Sequence, residues 1–151
     1  YFCKLKTLTS FREMNTTHEN NYAIYLLTNE LIHIVYKNVP CIDLKAARLI
    51  VKDRMQLQEG REMPVLCDIR QIRNINKEAR DYLALEGSQW ITALALLVDP
   101  PVTDVISTLY LGTHPQNVPT RSFTDKSEAL AYLGIETMDK DGPIPEQNAE
   151  Q

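Results

Sequence analysis

The chain has 151 residues, of which 44% are hydrophobic and 24% charged, and its formal net charge at pH 7 is −4. This length suits one globular domain that buries roughly 70% of its unfolded surface. The acidic balance argues against nonspecific nucleic-acid binding, which needs a dense positive field. No apolar run approaches the ~18 residues that a membrane-spanning helix needs, so we predict no membrane insertion.

The cysteines indicate neither a metal site nor a disulfide framework. Cys3, Cys41 and Cys67 are odd in number and far apart, and none belongs to a CxxC pair or to a Cys/His ligand spacing. We therefore predict reduced thiols in a cytoplasmic protein that has no cofactor.

Both ends of the chain are predicted to lie outside the folded domain. Residues 1–20 are an N-terminal extension, and the polar segment 12–21 is predicted to be a loop or a mobile arm. Residues 136–151 are acidic, contain proline and have almost nothing to bury, so we expect them to be disordered. The domain then covers residues 21–135.

The first half of the domain begins with a predicted hairpin. Apolar residues alternate through 22–37 on both sides of a tight turn at Asn29 and Glu30. An amphipathic helix follows over 43–60, with Asp43 as its N-cap and a glycine at its end. A short apolar strand over 63–68 and a second helix over 76–90 complete this half.

The second half alternates strands and helices. The six unbroken apolar residues 93–98 are typical of a central strand covered on both faces. A helix is predicted over 102–112, after two prolines that suit its first turn. The proline-containing segment 119–124 predicts an edge strand, and 125–134 predicts a helix with capping-box spacing at its start.

This element order, ββαβαβαβα, predicts an α/β fold. A hairpin followed by alternating strands and helices implies a mostly parallel mixed sheet with an antiparallel strand at or near one edge. Sequence periodicity does not say how the helices divide between the two faces of the sheet.

The segments ELIHIVYK, PVLCDIR, INKEARDYL, ALALLVD and RSFTDKSEALAYL, taken in series, resemble a small SpoIIAA-like protein of the STAS (sulfate transporter and anti-sigma antagonist) superfamily. The resemblance covers about residues 22–134. It implies a SpoIIAA/STAS-like fold with helices packed mainly on one side of the sheet. It also implies a non-enzymatic interaction or regulatory module.

The phosphorylation switch of that family cannot be carried over to this chain. Its phospho-regulated members have an Asp-Ser-Ser-Gly or similar run at the start of the helix that follows the strand corresponding to residues 63–68 here. A partner kinase phosphorylates one serine of that run. The run aligns with residues 76–79, and no Ser or Thr occurs between Asp68 and Gly87. Glu78 instead places a permanent negative charge near the position of a phosphoserine.

The strand–helix junction at 68–80 is the predicted site for a protein partner. Ligands of open α/β folds commonly bind where strands end and helices begin. Guanidinium groups in the basic run there match carboxylate and phosphate geometry, although a solvated face with local ion pairs would have the same composition. The predicted partner-binding residues are Asp68, Arg70, Arg73, Asn76, Lys77, Glu78 and Arg80.

The alternative prediction is a binder or carrier of a small hydrophobic, lipid-like ligand. Tyr82, Trp90 and Tyr110 put aromatic bulk on or beside the middle helices, where they would line an apolar pocket. Core packing or a homodimer interface on the helix side accounts for the same residues. A cavity of a few hundred cubic ångströms would favour the ligand.

Signals for catalysis and metal binding are weak. Asp68, Asp99 and Asp125 stand at strand ends, where helix capping or turn formation explains them better than a Mg²⁺ site. The sequence has no GxSxG, GxGxxG or P-loop motif. We therefore predict a protein that is not an enzyme.

Overall fold

The computed structural model describes residues 15–100 and 118–135, which contain one six-stranded sheet and three α-helices. The predicted helix at 102–112, with Tyr110, lies outside these residues, as do most of the predicted extension and all of the predicted tail. The strands are β1 (Thr16–Glu19), β2 (Ala23–Leu27), β3 (Ile32–Tyr36), β4 (Met63–Asp68), β5 (Ile91–Leu97) and β6 (Thr120–Phe123). The helices are α1 (Leu44–Gln58), α2 (Lys77–Leu85) and α3 (Lys126–Tyr132), with a 3-10 turn at Glu86–Ser88.

The strands lie side by side in chain order, from β1 at one edge to β6 at the other. β1, β2 and β3 pair antiparallel, whereas β3 with β4, β4 with β5 and β5 with β6 pair parallel. Helices α1 and α2 provide two of the crossovers that parallel neighbours require. The predicted mixed sheet, with its antiparallel hairpin toward one edge, is confirmed.

β1 corrects one prediction. Residues 16–19, predicted to belong to a loop or mobile arm, form an edge strand that pairs with β2. All four of its residues are exposed, so no apolar alternation marks the strand in the sequence. Polar contacts to α1 support it: the Nε2 atom of His18 lies 2.8 Å from Oδ2 of Asp53, to which Nδ2 of Asn20 also donates at 2.8 Å.

The sheet buries apolar side chains on both faces. Helices α1 and α2 cover the first face, where Val65, Leu94 and Leu96 belong to the larger core cluster. Helix α3 covers part of the second face, where Leu66 and Leu97 belong to a smaller cluster. β5 is thus buried on both sides, as its continuous apolar run predicts, although it is the fifth strand of six rather than a middle one.

Helix boundaries follow the predicted caps, with one exception. The Asp43 side chain accepts a hydrogen bond from the backbone of Ala46 at the start of α1, and Gly60 has a φ of 80° beyond its end. Helix α2 ends at Leu85 rather than at residue 90. In the 3-10 turn that follows, Gly87 packs against α1 so closely that a Cβ atom would lie 3.3 Å from Cγ2 of Val51.

Candidate functional site

The loop between β4 and α2 is anchored to the core at three points. Ile69, Ile72 and Ile75 are all buried, with exposed fractions of 3–6%. Ile75 also forms a parallel bridge with Ile42, whose backbone nitrogen donates to the carbonyl of Asn74 at 2.9 Å. This spacing of buried isoleucines fixes the loop on the protein and leaves the intervening residues outside.

The intervening residues present a polar surface at the carboxyl end of β4. Arg70, Gln71, Arg73 and Asn74 are exposed in the loop, and Lys77 and Glu78 are exposed in the first turn of α2. We call these six residues the junction surface. Because ordered backbone holds them, binding here would cost less ordering entropy than binding by a free loop.

Asp68 and Arg70 form a bidentate ion pair at the start of the loop. Nε of Arg70 donates to Oδ1 of Asp68 at 2.9 Å, and Nη2 donates to Oδ2 at 2.7 Å. The backbone nitrogen of Arg70 also donates to Oδ1 at 3.1 Å, so Asp68 shapes the turn. Burial raises the pKa of Asp68, but the hydrogen bonds and charge of Arg70 outweigh burial and hold that pKa below its ordinary value.

The other predicted partner-binding residues divide into two groups. Nε of Arg73 donates to Oδ1 of the exposed Asn38 at 3.4 Å, and Nζ of Lys77 lies 3.1 Å from Oδ2 of Asp81. These side chains stay on the junction surface. Asn76 instead has a local role, because its side chain caps α2 by accepting from the backbone of Ala79 at 2.9 Å.

Arg80 faces the protein interior rather than the junction surface. Its Nη1 donates to the carbonyl of Ile75 at 3.0 Å. Its Nε is shielded from solvent and has no hydrogen-bond partner among the described residues. The sequence spacing groups Arg80 with the basic run, but the fold separates its side chain from that run.

A small cavity lies between the first face of the sheet and helices α1 and α2. Its volume is about 70 Å³, well below the ~300 Å³ at which ordinary ligand pockets begin. Most of the described residues that line it are aliphatic, and two are arginines. They are Ile34, Tyr36, Ile50, Val51, Arg54, Val65, Cys67, Ile69, Ile72, Ile75, Arg80, Leu83, Gly87, Ile91, Leu94 and Leu96.

Neither Tyr82 nor Trp90 lines this cavity. Tyr82 packs at the margin of the larger core cluster, with the guanidinium of Arg48 5.9 Å from its ring centre. Trp90 is half-buried in the turn before β5 and has a φ of 64°. The size and lining therefore give no support to a lipid carrier built on these aromatics.

Three buried polar residues of α1 are absent from the predicted site: Asp53, Arg54 and Gln58. Arg54 and Gln58 are only 2% and 0% exposed. Arg54 donates to Oε1 of Gln58 and to the carbonyl of Gly87, the latter at 3.0 Å. The signal available in the sequence is their helical spacing from the buried Ile50, which puts them on the apolar face.

The acidic residues at strand ends have structural partners. Asp125 caps α3 by accepting from the backbone of Ser127 at 2.8 Å, and Asp68 is held by Arg70. Within the described part of the chain, no three His, Cys, Asp or Glu side chains cluster as metal ligands would. Across the same residues, no helix combines the length and apolar character needed to cross a membrane.

Comparisons with known proteins support the fold. A family model described as a domain of unknown function, DUF7793, matches residues 25–135. A crystal structure of an uncharacterized DUF3478-family protein from Shewanella loihica PV-4, described as having a SpoIIAA-like fold, is similar with a TM-score of 0.50 and 14% sequence identity. The match covers 79% of this chain and 91% of that chain. Comparison with curated proteins gives no match.

Proposed function

The chain belongs to the DUF7793 family, a domain of unknown function, and we propose that it is a non-enzymatic interaction module that binds a protein partner through the junction surface. The observation that carries this proposal is the anchoring of the 69–76 loop by Ile69, Ile72 and Ile75. These anchors hold polar side chains outward on ordered backbone. A preordered polar surface of this kind suits recognition by a folded or peptide partner.

The charges of the junction surface indicate an acidic partner. Arg70 already binds the carboxylate of Asp68 within the protein. Arg73 contacts the neutral Asn38, and Lys77 is 80% exposed in its pair with Asp81. Arg73 and Lys77 are therefore the cations that a partner carboxylate can reach at low cost, because exposed pairs are worth little in water.

Charge reversal of Arg73 and Lys77 tests the proposal. We expect the double variant Arg73→Glu/Lys77→Glu to lose the partners that the wild-type protein retains in quantitative affinity capture from its own host. The wild-type protein should also lose these partners when the salt concentration is raised, because salt screens the charges at the exposed rim of an interface. Binding of each captured partner is then measured with purified proteins.

Lys45→Glu/Lys52→Glu is the matched control. Both lysines are exposed on α1, and the two double variants change the net charge by the same amount. If the α1 variant loses the same partners, overall charge explains binding. If the junction variant keeps every partner at wild-type affinity, the proposal is wrong.

A further inference from the structure

The end of the domain opposite the junction surface is acidic. Two turns form this end: one joins α1 to β4, and the other joins α2 to β5. Gln58 holds these turns side by side, because its Nε2 donates to the carbonyls of both Arg61 and Trp90. We use the name acidic surface for five residues at these turns: Glu59, Arg61, Glu62, Leu85 and Glu86.

The charges of the acidic surface mirror those of the junction surface. The carboxylates of Glu59, Glu62 and Glu86 are exposed, and none of them forms an ion pair with another described residue. The single guanidinium of this surface, that of Arg61, donates to the carbonyl of Gln58 at 3.0 Å. The junction surface has the reverse ratio, with three cations and one carboxylate.

Helix polarity adds to the difference between the two ends. Helices α1 and α2 both end at the acidic surface, and neither has a basic residue in its last turn. The carboxyl end of a helix carries a negative partial charge, and its amino end carries a positive one. Helix α2 begins within the junction surface, at Lys77. Each of its ends therefore has the same sign as the surface on which it lies.

Both surfaces also have apolar side chains within reach of a partner. Leu85, directly before Glu86, is 62% exposed and is the most exposed large hydrophobic side chain that the structure describes. Beside the junction surface, Pro40 is exposed in the loop that Arg73 contacts through Asn38. An apolar group next to a carboxylate at one end thus has an apolar counterpart next to a cation at the other.

We propose that the acidic partner of the junction surface is the acidic surface of a second copy of this chain, so that copies associate head to tail. This inference rests on the proposed function, because it names the partner of the same surface. The two surfaces lie at opposite ends of β4, which has six residues and spans about 20 Å. They cannot pair within one chain. In a stack of copies, the cations of one copy face the carboxylates of the next.

Sedimentation equilibrium of the purified protein at low salt measures this association. We expect the average mass to rise with protein concentration beyond that of two copies, because a contact between two different surfaces leaves one of each free at the ends of a stack. Raising the ionic strength to about 1 M, where the Debye length is ~3 Å, should dissociate the copies.

Reversing the charges of either surface should weaken the association about tenfold, and mixing the two variants should restore it. The variants are Arg73→Glu/Lys77→Glu and Glu62→Lys/Glu86→Lys. Each variant alone presents like charges at both ends, which repel between copies. In the mixture, every acidic end can meet a basic end. Glu59 is left unchanged because its φ of 51° is left-handed.

Lys45→Glu/Lys52→Glu is the control for net charge. It changes the charge as much as the junction variant does but leaves both surfaces intact, so it should associate as the wild type does. Leu85→Gln tests the apolar contact without changing the charge, and it should weaken association severalfold. Ile24→Thr removes a side chain that is 43% exposed on β2, outside both surfaces, and it should have no effect.

A wild-type protein that stays monomeric at every concentration would overturn head-to-tail association. The proposed function would survive that result if the junction variant still lost partners captured from the host. Association that stops at two copies, or that persists at wild-type strength after either charge reversal, would equally rule out the inference. So would mixed variants that fail to reassociate, provided that circular dichroism shows both to be folded.

Discussion

At the scale of single residues, the Asp68–Arg70 pair is the best-defined polar contact of the junction. The Asp68 carboxylate is buried while its partner is 48% exposed, so the pair is worth more than a surface pair and less than a fully buried one. We expect Asp68→Asn to reduce the free energy of unfolding at pH 7 by about 1–2 kcal/mol. Urea unfolding measures this difference.

The effect of Asp68→Asn should depend on pH in one direction. The folded-state pKa of Asp68 lies below its usual value, so the stabilisation is fully present above the unfolded pKa of about 3.9 and is lost as pH falls through the folded pKa. The difference between wild type and variant should therefore shrink on acidification below pH 4. The control is Asp81→Asn, at a half-buried carboxylate that pairs with the exposed Lys77, and a difference that stayed constant with pH would contradict this account.

At the scale of elements, Gln58 joins the end of α1 to the start of β5. It is fully buried, and its Nε2 donates to the carbonyls of Arg61 at 2.8 Å and Trp90 at 2.9 Å. Its Oε1 accepts from Arg54. One side chain thus bonds backbone carbonyls in two turns, including that of Trp90, which takes a left-handed conformation and whose carbonyl also accepts from the backbone nitrogen of Met63 at 3.1 Å.

Gln58→Leu should therefore destabilise the folded protein far more than the loss of one polar group suggests. It removes the donor to two carbonyls and the acceptor for a buried guanidinium, which we expect to lower the free energy of unfolding by about 2–4 kcal/mol. Gln56→Leu, on the exposed side of the same helix, should change it by less than about 0.5 kcal/mol. Chemical denaturation of both variants makes the comparison, and similar effects at the two positions would rule out the proposed bridge.

At the scale of the whole molecule, the sequence predicts what depends on local pattern. Apolar alternation identifies β2 and β3, and the continuous apolar run identifies β5, because burial on one or both faces leaves a direct mark in the sequence. Asp43 and Asp125 mark helix starts for an equally local reason. The resemblance to SpoIIAA-like proteins adds the arrangement of helices, which periodicity alone does not specify.

Features that depend on tertiary neighbours escape sequence-based prediction. β1 has no buried side, so nothing in Thr16–Glu19 distinguishes it from a loop. Arg80 belongs to a basic run by spacing, but its inward position follows from how α2 packs over the sheet. The cavity that it lines depends on side chains from both helices and several strands, which no single segment of sequence brings together.

We expect the sheet to make the described domain one cooperative unit, because its strands contribute side chains to both core clusters. Val65 and Leu66 are adjacent in β4, fully buried, and face opposite sides. Val65→Ala should lower the free energy of unfolding by about 1.5–2.5 kcal/mol, and Leu66→Ala should lower it by about 2–5 kcal/mol. For each variant we expect one urea unfolding transition with a lower midpoint. The curves followed by far-UV circular dichroism and by Trp90 fluorescence should coincide. Two distinct transitions in Leu66→Ala would instead mean that the side covered by α3 unfolds independently of the side covered by α1 and α2.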